Sequence, residues 1–175
     1  MVNRVALMIA VGFSILGAGC FPVQPPEKTE EAQPETTRPV SFTIPGVNQE
    51  QKEIDLASFK GQVVLLDFWA TWCLPCHSEL PGLNALYREL KGKGFVVIGM
   101  TVDLGKLEDV TGAVSRLGLA YPAGLAGGEV QDLYGGIRAI PTKFLLDRKG
   151  VVRQKYVGVV SDRQLRADIE PLLAE

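Results

Sequence analysis

The sequence predicts an α/β domain: a central mixed sheet with helices on both faces and an extended or hairpin extension at its N-terminal side. Three observations carry that prediction. First, Val63-Val64-Leu65-Leu66-Asp67-Phe68-Trp69 and Phe95 to Val102 are near-continuous apolar runs, as expected of strands covered on both faces. Second, each run is followed by apolar residues at helical spacing: Leu80, Leu83, Leu86, Tyr87 and Leu90 after the first, Leu107, Val110, Val114 and Leu117 after the second. Third, Lys143 to Leu146 and Val151 to Val157 read as strands around the turn Asp147-Arg148-Lys149-Gly150. The βαβα half demands parallel strands with right-handed crossovers, and the hairpin adds antiparallel ones.

The remaining elements follow in order. Val40 to Leu56 reads as an extended lead-in with a turn near Pro45-Gly46. Lys91-Gly92-Lys93-Gly94 brings cations and glycine to the end of the first helix, and Gly118 ends the second. Residues 121–136 are glycine-rich, with a short helix expected around Val130 to Tyr134. Ser161 and Gln164 have capping-box spacing ahead of a last helix whose apolar stripe is Leu165, Ile169, Leu172 and Leu173. Pro171 lies within that stripe and predicts a kink or an early end.

Composition narrows the function. The 175-residue chain has a net charge of −2, from 18 basic and 20 acidic residues, and carries neither a nucleic-acid-binding surface nor a phosphate-binding loop. Residues 1–20 read as an export signal: one charge at Arg4, a short apolar stretch from Val5, then small residues before Cys20. Leu16-Gly17-Ala18-Gly19-Cys20 resembles a bacterial lipoprotein signal, which makes Cys20 the expected lipidation site, although Gly17 stands where an aliphatic residue is usual. An uncleaved anchor and ordinary cleavage are the alternatives. All three place the domain outside the cytoplasm, on the periplasmic or cell-envelope face, where disulfides persist. Residues 21–39, with Pro22, Pro25, Pro26, Pro34 and Pro39 among polar residues, read as a disordered tether, leaving residues 40–175 as the single domain.

The chemistry lies at Trp72-Cys73-Leu74-Pro75-Cys76, between a buried strand and a helix. A sulfur at a helix N-terminus faces unpaired N–H groups and the positive end of the dipole, which favour thiolate over thiol. Two intervening residues let the sulfurs bridge. Cys73, nearer the tip, is the expected nucleophile and Cys76, one turn in, the expected resolving thiol. Dithiol–disulfide exchange of this kind needs no cofactor. Asp67 interrupts the apolar strand on the face shared with Val63, Leu65 and Trp69. A carboxyl there should have a raised pKa and could accept the proton of the resolving thiol; a structural acid paired with a backbone donor is the alternative. Trp72 is read as shielding one side of the site, with plain core packing as its alternative.

Asp67-Phe68-Trp69-Ala70-Thr71-Trp72-Cys73-Leu74-Pro75-Cys76 resembles the active-site segment of thioredoxins. Pro81 matches that family's helix-kinking proline, and Ile140-Pro141-Thr142 the segment holding its cis-proline. The leader, Phe42-Thr43-Ile44-Pro45 and Gly99-Met100-Thr101-Val102-Asp103 resemble the membrane-tethered TlpA/ResA branch. The resemblance implies a thioredoxin fold over residues 40–175, with Cys73 as nucleophile, Cys76 as resolver and Asp67 as buried proton relay. It also implies that cis-Pro141 lies beside the sulfurs and that Ile140 offers backbone to an extended substrate strand. It implies reduction of disulfide-bearing protein substrates, apocytochromes c among them, with electrons from a membrane thiol carrier. Two departures stand out. ResA-type proteins usually have Asn where this chain has Asp67, and an acid near where this chain has Leu104 beside Asp103. Thioredoxins have a lysine near the buried Asp where this chain has Gly99, so the expectation is a relay without a cationic neighbour.

Rival readings are few. Cys73-Leu74-Pro75-Cys76-His77 is also a C-x-x-C-H string, the attachment signature of c-type haem, with Met100 as a conceivable second ligand. A zinc site would have only Cys73, Cys76 and His77 to draw on in the domain, too few for a closed structural site. An inert structural disulfide, a peroxidase and a disulfide-installing oxidase of the same fold complete the alternatives.

Overall fold

The apolar runs dominate the architecture. The computed structural model describes residues 41–48 and 52–175. In chain order the elements are β1 (Thr43–Pro45), β2 (Glu53–Asp55), β3 (Val63–Trp69), α1 (Leu74–Leu90), β4 (Phe95–Thr101) and α2 (Leu107–Leu117). They continue with β5 (Ala123–Leu125), α3 (Gly128–Leu133), β6 (Thr142–Leu146), β7 (Val152–Val157) and α4 (Asp162–Ala174). Every residue of β3, β4 and β6 is buried, as continuous apolar runs require.

The main sheet has the order β5-β4-β3-β6-β7. β3 pairs parallel with β4, and β4 with β5, whereas β6 runs antiparallel to both β3 and β7. Alternation along β3 separates two cores. Val64, Leu66 and Phe68 join Phe42, Ile44, Ile54, Leu56 and Tyr134 on one face, with Val130 of α3 packed against them. Val63 and Leu65 join Leu83, Leu86 and Leu90 of α1 and Leu165, Ile169 and Leu172 of α4 on the other. A third cluster at the end of β3 brings Trp69, Ala70, Cys73 and Cys76 together with Val110 and Val114 of α2.

One expectation sharpens and two change in detail. The lead-in is a two-stranded antiparallel hairpin, β1 with β2. It closes on β5 so tightly that a Cβ at Gly124 would lie 2.5 Å from Ile44 Cδ1. Residues 121–136 contain a strand, β5, as well as a helix, and that helix begins at Gly128 rather than near Val130. Pro171 does not end the last helix, which runs on to Ala174. A proline near a helix C-terminus forfeits few later hydrogen bonds. Leu172 and Leu173 hold the final turn against the second core, and Arg148 donates to Leu173 O at 2.9 Å.

Candidate active site

The loop after β3 is shaped before it reaches the cysteines. Asp103, just past β4, accepts the Thr71 N–H at 2.9 Å and the Thr71 hydroxyl at 2.7 Å, and it also accepts the Thr101 hydroxyl. The loop so pinned places Cys73 at the N-cap of α1 in extended backbone, with Pro75 in the first turn where a missing N–H is tolerated. Cys73 and Cys76 form a disulfide, with Cα atoms 5.3 Å apart, and Cys73 Sγ accepts the Cys76 N–H at 3.3 Å. Exposure does not separate the two cysteines, both being buried; position at the helix terminus does.

The Ile140–Pro141 peptide bond is cis. Ile140 packs against the cluster that holds both cysteines, and Pro141 O accepts the Gly158 N–H at 2.8 Å. Trp72 is 68% exposed, which removes the core-packing alternative. Leu74 and Leu104 are also exposed, the latter next to the Asp103 that grips Thr71. Met100 faces the other core, with Phe68 and Ile98, and is not brought to the cysteines, so it cannot complete a haem site with them.

Asp67 is buried where alternation put it, but the expectation of a relay without a cation is wrong. Asp67 lies between Gly99 of β4 and Lys143 of β6 in the sheet register. The cation therefore comes from the opposite neighbouring strand. Lys143 Nζ stands 3.2 Å from Asp67 Oδ1 as an ion pair and donates a hydrogen bond to Glu79 Oε2 at 2.8 Å. Glu79 Oε1 accepts the Val160 N–H at 2.9 Å. At Gly99, where a Cβ would lie 3.1 Å from Trp69 Nε1 and 3.3 Å from Tyr121 Cε2, those two rings occupy the space instead. Burial raises the Asp67 pKa; the Lys143 ammonium opposes that shift and the Glu79 carboxylate adds to it. Burial, with Asp67 and Glu79 adding their negative charge, also holds the Tyr121 phenol well above its usual range.

Sequence reasoning missed Lys143 and Glu79, though each carried a signal. Lys143 is a charge inside an apolar strand, and Glu79 stands four residues before Leu83 on the buried stripe of α1. Two buried charges of opposite sign call for partners. Cys20 and the leader and tether, residues 1–39, lie outside the described residues. Among the described residues, no helix is long and apolar enough to cross a membrane.

A disulfide at a helix N-cap, next to a cis-proline loop and a buried carboxylate on a mixed sheet, defines a thioredoxin-fold thiol–disulfide oxidoreductase. The chain belongs to the AhpC/TSA family, whose sequence profile matches residues 35–155. It is 34% identical over 165 residues to the thiol-disulfide oxidoreductase ResA of Bacillus thuringiensis subsp. konkukian, covering 93% of each chain. A ResA of Bacillus cereus is 40% identical over 117 residues, or 66% of each chain. Among solved structures, a thiol:disulfide interchange protein of the thioredoxin family from Chlorobium tepidum superposes with a TM-score of 0.68 at 31% identity. That match covers 78% of this chain and 97% of the other. A secreted thiol-disulfide isomerase from Corynebacterium glutamicum superposes with a TM-score of 0.70 at 26% identity, over 79% of this chain and 86% of the other.

Proposed function

We propose that this protein is a membrane-tethered, extracytoplasmic reductase of protein disulfides. The observation that carries the reading is the Cys73–Cys76 disulfide at the N-terminus of α1, flanked by the cis-Pro141 loop and backed by buried Asp67. In the forward direction the Cys73 thiolate attacks a substrate disulfide. One substrate sulfur leaves with its electron pair, and Cys73 is left in a mixed disulfide. Cys76 loses its proton to Asp67 and attacks Cys73; the second substrate sulfur leaves as a thiolate. The substrate has then gained two electrons and the protein holds the Cys73–Cys76 bond. A membrane thiol carrier returns the pair to the dithiol.

The substrate approaches as an extended segment, pairing with the backbone at Ile140 and cis-Pro141 and packing on Trp72. Exposed Leu74 and Leu104 extend that apolar rim. Apocytochrome c with its cysteines oxidised is the substrate that resemblance to the ResA relatives favours. Residues 1–20 serve as the export signal, Cys20 carries the lipid, and residues 21–39 give the domain reach from the membrane. Cys20→Ala should then release the protein from the membrane fraction; retention there would count against the lipid anchor.

The deciding experiment equilibrates the protein in thiol–disulfide buffers and measures the Cys73–Cys76 reduction potential. A value near or below about −230 mV fits an electron donor, and one nearer −120 mV fits an oxidase and overturns the reductase reading.

A further inference from the structure

Lys143 is a buried charge that the exchange steps above leave without a role. It is wholly inaccessible, two residues beyond cis-Pro141, and pairs with both buried carboxylates at once. Glu79 follows Cys76 by three residues on α1, and both are buried, so they are neighbours on one face of the helix. No other lysine or arginine pairs with Asp67 or Glu79 among the described residues. With all three groups ionised the cluster holds one cation against two anions. All three side chains are buried, and like charges repel strongly in such surroundings.

We propose that Lys143 is the positioning residue of the resolving step: it pairs with Asp67 and Glu79 together, keeping a carboxylate ionised behind Cys76 to receive the thiol proton. The inference rests on the thiol–disulfide reading of Cys73 and Cys76. As the Cys76 sulfur bonds to Cys73, the bond from Cys73 to the substrate sulfur breaks and that sulfur takes the electron pair. The Cys76 proton must go to a base. A carboxylate that already holds a proton cannot accept another. Without Lys143, two buried anions face each other unpaired, and proton uptake is the cheapest relief. The other titratable groups facing the cluster are Cys76 of α1, Tyr121 before β5, and Tyr156 of β7, which stands opposite Lys143 and gives its hydroxyl to Asp168 of α4, whereas His77 stands edge-on to the Trp69 ring.

The test uses the full chain with Cys20→Ser, so that two thiols remain. The reduced protein is mixed rapidly with 5,5′-dithiobis(2-nitrobenzoate). The first thionitrobenzoate reports attack by Cys73 and the second reports resolution by Cys76. In Lys143→Met the second phase should slow about tenfold at neutral pH, and its pH midpoint should rise by about one unit. The first phase should be unchanged. Lys143→Arg, which keeps the charge, should stay close to the parent. Adding Glu79→Gln to Lys143→Met removes the like-charge repulsion and should restore part of the rate. Where Lys143→Met alone fails to fold, comparing Glu79→Gln with and without Lys143→Met gives the same direction of shift at smaller size. A midpoint that stays put when Lys143 is replaced, in either background, overturns the inference. A parent protein that releases only one thionitrobenzoate would instead remove the dithiol reading of Cys73 and Cys76.

Discussion

The two faces of β3 are built from consecutive residues and do different work. One face presents Val64, Leu66 and Phe68 to a predominantly apolar core with Phe144, Tyr134 and the N-terminal hairpin. The other presents Val63 and Leu65 and then, at the end that leads to Cys73, Asp67 and Trp69. The first face gains stability by excluding water from hydrocarbon. The second places a carboxylate, a lysine and another carboxylate in the same low-dielectric surroundings, where they cost stability but can hold and release a proton. A single strand thus separates folding from chemistry by alternation alone.

The largest effect expected is on the apolar face. Phe68→Ala removes a ring that contacts both Tyr134 and Phe144, at centroid distances of 5.6 and 5.8 Å. It should destabilise the protein by about 3–5 kcal/mol, read from urea unfolding. The rate at which Cys73 attacks a disulfide, measured in the folded fraction, should not change. A parallel loss of attack rate would mean that the two faces are not separable.

A smaller effect is expected where the second face meets the catalytic loop. Asp103→Ala leaves the Thr71 N–H and hydroxyl and the Thr101 hydroxyl without their acceptor. A loss of about 1–3 kcal/mol should follow, with faster amide hydrogen exchange at Thr71. Slow exchange that persists at Thr71 would show that the loop is held by something else.

The smallest effect, and the most telling in sign, concerns Asp67. Its raised pKa means that the folded protein binds more protons than the unfolded chain between the ordinary carboxylate range and the folded value. Stability should therefore fall as pH rises through that window. Asp67→Asn abolishes this slope and leaves Lys143 paired with Glu79 alone. The variant should be more stable than the parent by about 1 kcal/mol near neutral pH and close to it in acid, while its second thionitrobenzoate release slows. Equal resolution rates would remove Asp67 from the mechanism, and a less stable variant would make it a structural acid.

Much of this was legible locally. The period of apolar residues located β3, β4, α1 and α2, because periodicity reflects which face of one element is buried and needs no knowledge of its neighbours. Cys73-Leu74-Pro75-Cys76 was legible because its chemistry depends on a helix N-terminus only a few residues long. Asp67 announced itself as a charge in an apolar run. The strand β5 did not, since Ala123-Gly124-Leu125 is too short and too small to carry a pattern. Pro171 misled because its local penalty is outweighed by the packing of Leu172 and by the bond from Arg148.

Local pattern in the sequence settled the long elements β3, β4, α1, α2 and α4 and where the sulfurs lie on them, but not β5. Tertiary structure alone decided what surrounds Asp67. The Lys143–Glu79 bond spans 64 residues and the Thr71–Asp103 bonds span 32, so no local rule reaches them. The strand order β4-β3-β6 gives Asp67 two neighbours, Gly99 and Lys143. That order is a property of how the whole sheet buries its two faces, and it decides from which side the buried carboxylate receives its cation.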